Sequence, residues 1–273
     1  MQKKPFNNWR NKKMIEGFRI VDAHCHPIDD NLERSKFNAY GSPACTRDFF
    51  DDMKNSGLDF CAGSVIRPEK EPESFAPFAE TNASGFKLQE KYSDFYQVGI
   101  RINPLFVKES IAELEKYHKL GVNWVGELVP YMSGYSSVST PECLEVLAVA
   151  RDLGMVVNIH SPQTEDLEKL MKNLPDLKVV GAHPGERALV LERAELMKKY
   201  ENLHWDISGT GLFRWGMLRY LVEQCGNDKL LFGTDYPICN IAMQVYGVLS
   251  EKISEEAKAA IFSGNFARLT GRI

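Results

Sequence analysis

Short apolar runs recur along the chain, separated by longer segments in which apolar positions return every three or four residues. The runs are FRIVDA (18–23), LDFCAGSVI (58–66), FYQVGIRI (95–102), VNWVGELV (122–129), MVVNI (155–159), LKVVGA (177–182), LHWDIS (203–208) and KLLFGT (229–234). Strands buried on both faces read as continuous apolar runs rather than alternating ones, which is the signature of a parallel sheet covered by crossover helices. The intervening segments carry helix-end chemistry. Ser110 with Glu113 predicts a capping box and Gly121 a stop; Thr140 before Pro141 predicts a start and Gly154 its end; Ser254 and Gly264 bracket a last helix. Eight β/α repeats in about 250 residues match a (β/α)8 TIM barrel, with an open doubly wound sheet as the alternative. Without a linker or composition break, residues 19–273 read as a single domain behind a polar N-terminal arm, 1–18. The longest interruption, 67–93, is polar and reads as a functional loop such as a lid, or else as a disordered one, with room for a short helix.

Chemistry gathers where apolar runs stop. His24 and His26 follow the first strand two residues apart, so their imidazoles point to one side and Cys25 to the other. His160 follows the fifth strand, His183 the sixth and Asp235 the eighth, each before a proline-containing loop. In a parallel barrel these strand ends converge on the face where active sites lie. A lone histidine is usually a satisfied core or surface group, as His118 in a helical segment and His204 at a strand start illustrate. Four of the six histidines and an aspartate on one rim form instead a ligand set for a divalent metal, zinc by donor type, with one or two ions allowed. Glu127 ends the fourth strand as an acid inside an apolar run, placed to reach the metal or a ligand histidine.

Substrate contacts are read from the same rim. Arg67 and Arg101 end the second and third strands, and a guanidinium fork suits a carboxylate or phosphate; the competing role is a salt bridge holding a loop. Tyr131 and Tyr236 lie just beyond the fourth and eighth strands and could line a pocket. Asp206 and Ser208 share a face of the seventh strand, as mouth residues or as partners of nearby backbone.

Composition narrows the partners. The 273 residues include 33 Lys and Arg against 37 Asp and Glu, a net charge of -4 without the basic excess that nucleic acid demands. Six scattered cysteines form no framework, and no apolar run is long enough to span a membrane or serve as a secretory leader. The expectation is a cytoplasmic protein acting on a small molecule, with no nucleic acid or membrane partner and a homo-oligomer left open. No dinucleotide or phosphate loop is present: Gly209-Thr210-Gly211 meets Arg214 where the third glycine belongs. Gly-x-Ser-x-Gly is also absent.

The motifs DAHCHP, VNIHSP, VGAHPG and FGTDYP, with NFARLTG near the C-terminus, resemble the metal-dependent amidohydrolase superfamily, in particular its amidohydrolase-related branch of small barrels containing hydrolases and decarboxylases. The resemblance spans residues 19–273. It implies that His24, His26 and His160 bind metal, that Asp235 is ligand and general base, and that His183 is a second ligand or an acid beside the metal water. It implies for Glu127 the strand-four carboxylate that bridges two metals in some members; no lysine stands there to be carboxylated. The leading expectation is a metal-dependent hydrolase that activates water for attack on an amide, ester or lactone. The rivals are a non-oxidative decarboxylase of a small carboxylic acid and a non-catalytic barrel with a structural metal of closed coordination.

Overall fold

The computed structural model describes residues 15, 17–32, 43–211 and 213–272. Most of the polar arm proposed at 1–18 lies outside the described residues. All eight expected strands form: β1 Val21–Cys25, β2 Phe60–Gly63, β3 Tyr96–Val98, β4 Trp124–Leu128, β5 Val156–His160, β6 Lys178–Ala182, β7 Leu203–Asp206 and β8 Leu230–Leu231. They pair in parallel and in chain order, β1 to β3 and β4 to β8. Two single bridges, Ile100 with Val125 and Cys25 with Tyr236, join the two arcs into a closed barrel.

Helices cover the outside: α1 Thr46–Asn55, α2 Ala76–Lys91, α3 Val107–Lys119, α4 Pro141–Asp152, α5 Thr164–Asn173, α6 Arg187–Lys199, α7 Met217–Cys225 and α8 Ile241–Ser250. A final helical run follows as α9 Glu255–Ala259, a π-helical turn Ala260–Gly264 and α10 Asn265–Thr270. The main core is the layer between strands and helices, where Phe49, Phe50, Val157, Ile159, Leu167, Val179 and Leu221 are all buried. A smaller cluster joins strand beginnings, including Val21, Phe60, Trp124 and Val156, to Phe266 and Leu269 of α10. None of the described helices is long and apolar enough to cross a membrane.

Three local expectations change. The segment 67–93 holds α2, whose 16 residues make it much more than a short helix. Its buried face is largely Thr81, Asn82, Ser84 and Gly85, so hydrophobic periodicity gives little sign of it. Ser110 lies inside α3 rather than at its cap, and the turn before the helix is capped by Asn103, whose side chain accepts from Leu105 N at 2.9 Å. Gly264 sits within the last helical run, which ends instead at Gly271 in the left-handed conformation. Thr140 and Ser254 do cap, accepting from Cys143 N and Ala257 N.

Candidate metal centre

The strand ends bring His24, His26, Glu127, His183 and Asp235 into one buried cluster. His24 Nε2 lies 3.3 Å from His26 Nε2, 3.6 Å from Glu127 Oε1 and 3.6 Å from Asp235 Oδ1. His26 Nε2 stands 3.5 Å from Glu127 Oε2 and 3.4 Å from Asp235 Oδ1. His183 Nε2 stands 3.5 Å from Glu127 and 3.9 Å from Asp235. Two overlapping sets could each hold an ion, His24 with Glu127 and His183, and His24 with His26 and Asp235.

Partner chemistry fixes the imidazole tautomers. Asp206 accepts from His24 Nδ1 at 2.9 Å, and the Ser64 carbonyl accepts from His26 Nδ1 at 3.1 Å. The Ser208 hydroxyl, 3.1 Å from His183 Nδ1, gives its own hydrogen to Asp206 and so accepts from that ring. With each Nδ1 donating outward, all three Nε2 lone pairs face the cluster.

The backbone at the rim is bent to make this possible. His183 and Asp235 have φ of 62° and 63°, a left-handed conformation uncommon outside glycine. The His183 carbonyl is held from outside by Arg193 and by Trp205 Nε1, the latter at 3.1 Å. Gly209 leaves room for the His183 ring, since a Cβ there would stand 2.3 Å from Nδ1. Asp235 is seated by its N–H, which donates to the His24 carbonyl at 2.8 Å. Below it, Asp22 accepts from His24 N and from the Thr234 N–H and hydroxyl, tying β1 to the end of β8.

The cluster is built to hold positive charge. Burial alone would lower the His24 pKa, yet Asp206, Glu127 and Asp235 together push it up to about 10. His26 is likewise lifted to about 9 against burial, chiefly by Asp235 and Glu127. Burial would raise the Glu127 pKa, but the imidazoles, His24 foremost, hold it well below the ordinary carboxylate range. Three imidazole lone pairs beside two carboxylates fit a first-row divalent ion, and the same field that retains protons favours such a cation.

The sequence matches the amidohydrolase family over residues 21–272. The chain belongs to that family. No curated protein matches it. Among solved structures, a 5-carboxyvanillate decarboxylase of Sphingomonas paucimobilis superposes with TM-score 0.71 at 16% identity, over 94% of this chain and 100% of that one. A 2,6-dihydroxybenzoate decarboxylase of Rhizobium gives 0.72 at 16% identity, over 93% and 99%. A 5-carboxyvanillate decarboxylase of Novosphingobium aromaticivorans, complexed with manganese and 4-hydroxy-3-methoxy-5-nitrobenzoic acid, gives 0.74 at 12% identity, over 95% and 97%. At these identities the likeness establishes the barrel fold.

Other expected site residues of this family member fall in different places. His160 stands outside both ligand sets: its Nδ1 donates to Glu127 Oε1 at 2.8 Å, and its ring packs edge-on to Tyr131. Tyr131 lines the pocket above the cluster together with His26, Glu127, His160 and Asp235, between apolar walls of Ile66, Val129, Met132 and Ile238. Tyr236 does not line it. Next to an inward-pointing Asp235 it turns outward, packs on Phe49 and donates to Asp52 Oδ2 at 2.6 Å. Arg67 is paired with Glu80 at 2.8 Å, the loop-holding role.

Arg101 is buried and lies behind the pocket rather than in it. It donates to the Arg67 carbonyl and to Ser133 Oγ and covers the Phe78 ring, which clamps the turns carrying Ile66 and Met132. Asp206 and Ser208, either mouth residues or backbone partners on sequence grounds, are hydrogen-bond partners of His24 and His183. Strand alternation put both at the rim, but their targets on β1 and β6 follow only from barrel closure.

Proposed function

We propose that the protein is a metal-dependent, non-oxidative decarboxylase of a small aromatic carboxylic acid. The observation that carries this is the pocket itself: four apolar side chains and the Tyr131 ring stand directly over the imidazole and carboxylate cluster. Such a lining would suit the ring of an aromatic acid whose carboxyl end faces the cluster. The fold relatives named above support the same choice over the hydrolase expected from sequence. An open pocket at the cluster also speaks against a closed structural metal site.

His24, His26, His183, Glu127 and Asp235 would hold the ion, and manganese is favoured over zinc by the company of the fold relatives. A divalent ion there supplies positive charge that anchors and polarises an anionic substrate. The protein's own groups do the rest. Ile66, Val129, Met132 and Ile238 exclude water from the ring, and Tyr131 packs against it. Asp235, which lines the pocket, delivers a proton to the ring carbon that bears the carboxyl group. The bond to the carboxyl carbon then breaks, its electron pair stays on the ring, and carbon dioxide leaves. Water returns the proton to Asp235.

The test is incubation of manganese-loaded protein with hydroxylated and methoxylated benzoates and, in parallel, with amides, esters and lactones. Release of carbon dioxide with the matching arene supports the reading. Turnover of the second panel alone would restore the hydrolase and end the decarboxylase.

A further inference from the structure

We infer that Asp206 and Ser208 form one relay that fixes which ring nitrogen of both His24 and His183 carries hydrogen, making Asp206 a positioning residue for two of the metal-directed imidazoles. The inference rests on the metal reading of the site. Asp206 is fully buried, and donors surround both of its oxygens. Oδ2 accepts from His24 Nδ1 at 2.9 Å and from Asn158 Nδ2 at 3.0 Å. Oδ1 accepts from Ser208 N at 3.1 Å and from the Ser208 hydroxyl, with His183 N at 3.5 Å. Because that hydroxyl spends its hydrogen on Asp206, its oxygen can only accept from His183 Nδ1. One carboxylate therefore orients His24 directly and His183 through a single hydroxyl.

His26 is the internal contrast. Its Nδ1 donates to the Ser64 carbonyl, a backbone acceptor that cannot reverse its role. Asp206 can be reversed by substitution. In Asp206→Asn the new amide must face either the Ser208 and His183 N–H groups, which cannot become acceptors, or the His24 and Asn158 side chains, which can flip or change tautomer. The second arrangement moves the His24 hydrogen to Nε2, where it occupies the lone pair meant for the ion.

The experiment measures zinc affinity by chelator competition and follows the ring nitrogens of 15N-histidine-labelled, zinc-loaded protein by NMR. We expect wild type to show Nδ1–H on both His24 and His183. Asp206→Asn is expected to lower zinc affinity by about 10–100-fold and to move the His24 hydrogen while His183 keeps its own, whereas Asp206→Ala, which removes both oxygens, is expected to alter both rings. Ser208→Ala is expected to alter His183 alone with a smaller loss of affinity. Unchanged affinity and rings in Asp206→Asn would overturn the relay, as would Ser208→Ala disturbing His24 as much as His183. Should Asp206→Asn not fold, Ser208→Ala decides: a change confined to His183 supports the relay, and no change at His183 overturns it. Wild-type protein that binds no zinc or manganese would sink the metal reading and the relay together, whereas tight wild-type binding with unaltered variants sinks the relay alone.

Discussion

His24 and His204 are both buried in the barrel wall, and their chemistry is opposite. His24, at the rim, is lifted to about 10 because Asp206, Glu127 and Asp235 outweigh the cost of burying its charge. His204, where β7 begins, is pushed down to about 4, first by burial and then by Lys229 and Arg268. Its Nδ1 donates to the Asn202 carbonyl, and Arg268 approaches its Nε2. Similar desolvation thus leaves a site that favours positive charge in one place and a neutral ring in the other, and the sign of the neighbouring charges decides. The rim concentrates acceptors around a centre of positive charge; the opposite end keeps its imidazole neutral and serves cohesion. Function and stability should therefore separate along the barrel axis.

The sharpest break would come from Asp235→Asn, expected to cut turnover by about 10²–10⁴-fold in steady-state assays while the metal-free protein melts as wild type does. Equal activity would remove Asp235 as proton carrier. At the other end, Trp124→Ala removes a buried ring packed on Phe266. It is expected to lower unfolding free energy by about 3–5 kcal/mol in urea titrations, with kcat of the folded fraction unchanged. Glu127→Gln weakens the charge that faces four imidazoles, and metal affinity measured by competition should fall by roughly 10–100-fold.

The smallest effect belongs to His204. Its folded pKa of about 4 lies below the ordinary 6.5, so between those values the unfolded chain binds more protons. Stability should consequently fall as pH drops from 6.5 toward 4. His204→Gln should flatten that limb by about 1 kcal/mol near about pH 5.5, read from denaturation midpoints. A limb unaffected by the substitution would show that His204 is not the buried neutral group the comparison requires.

Much of this was legible before folding, for identifiable reasons. Strands buried on both faces leave continuous apolar runs, and a parallel barrel places everything at their ends on one rim, so His24, His26, His183 and Asp235 could be grouped from sequence. Helix α2 escaped because threonine, asparagine, serine and glycine make up most of its buried face. Tyr236 leaves the pocket because the alternation of the strand persists beyond its end and turns it away from Asp235, onto Phe49 and Asp52. Arg101 sits at a rim position, yet its burial and its bonds to two turns depend on how α2 and the fourth loop pack. The role of Asp206 depends on barrel closure, which brings β7 within one strand of β1 through β8 and which local pattern does not carry.

Asp22 and Thr234, 212 positions apart in the chain, meet by hydrogen bonds next to His24 and Asp235. The first and last staves of the barrel are therefore stitched at the spot where an ion would grip them both. Loading the centre should act like a hoop on a cask: the heat needed to open the whole cylinder would rise with free ion concentration, so occupancy could be followed by melting temperature without any substrate.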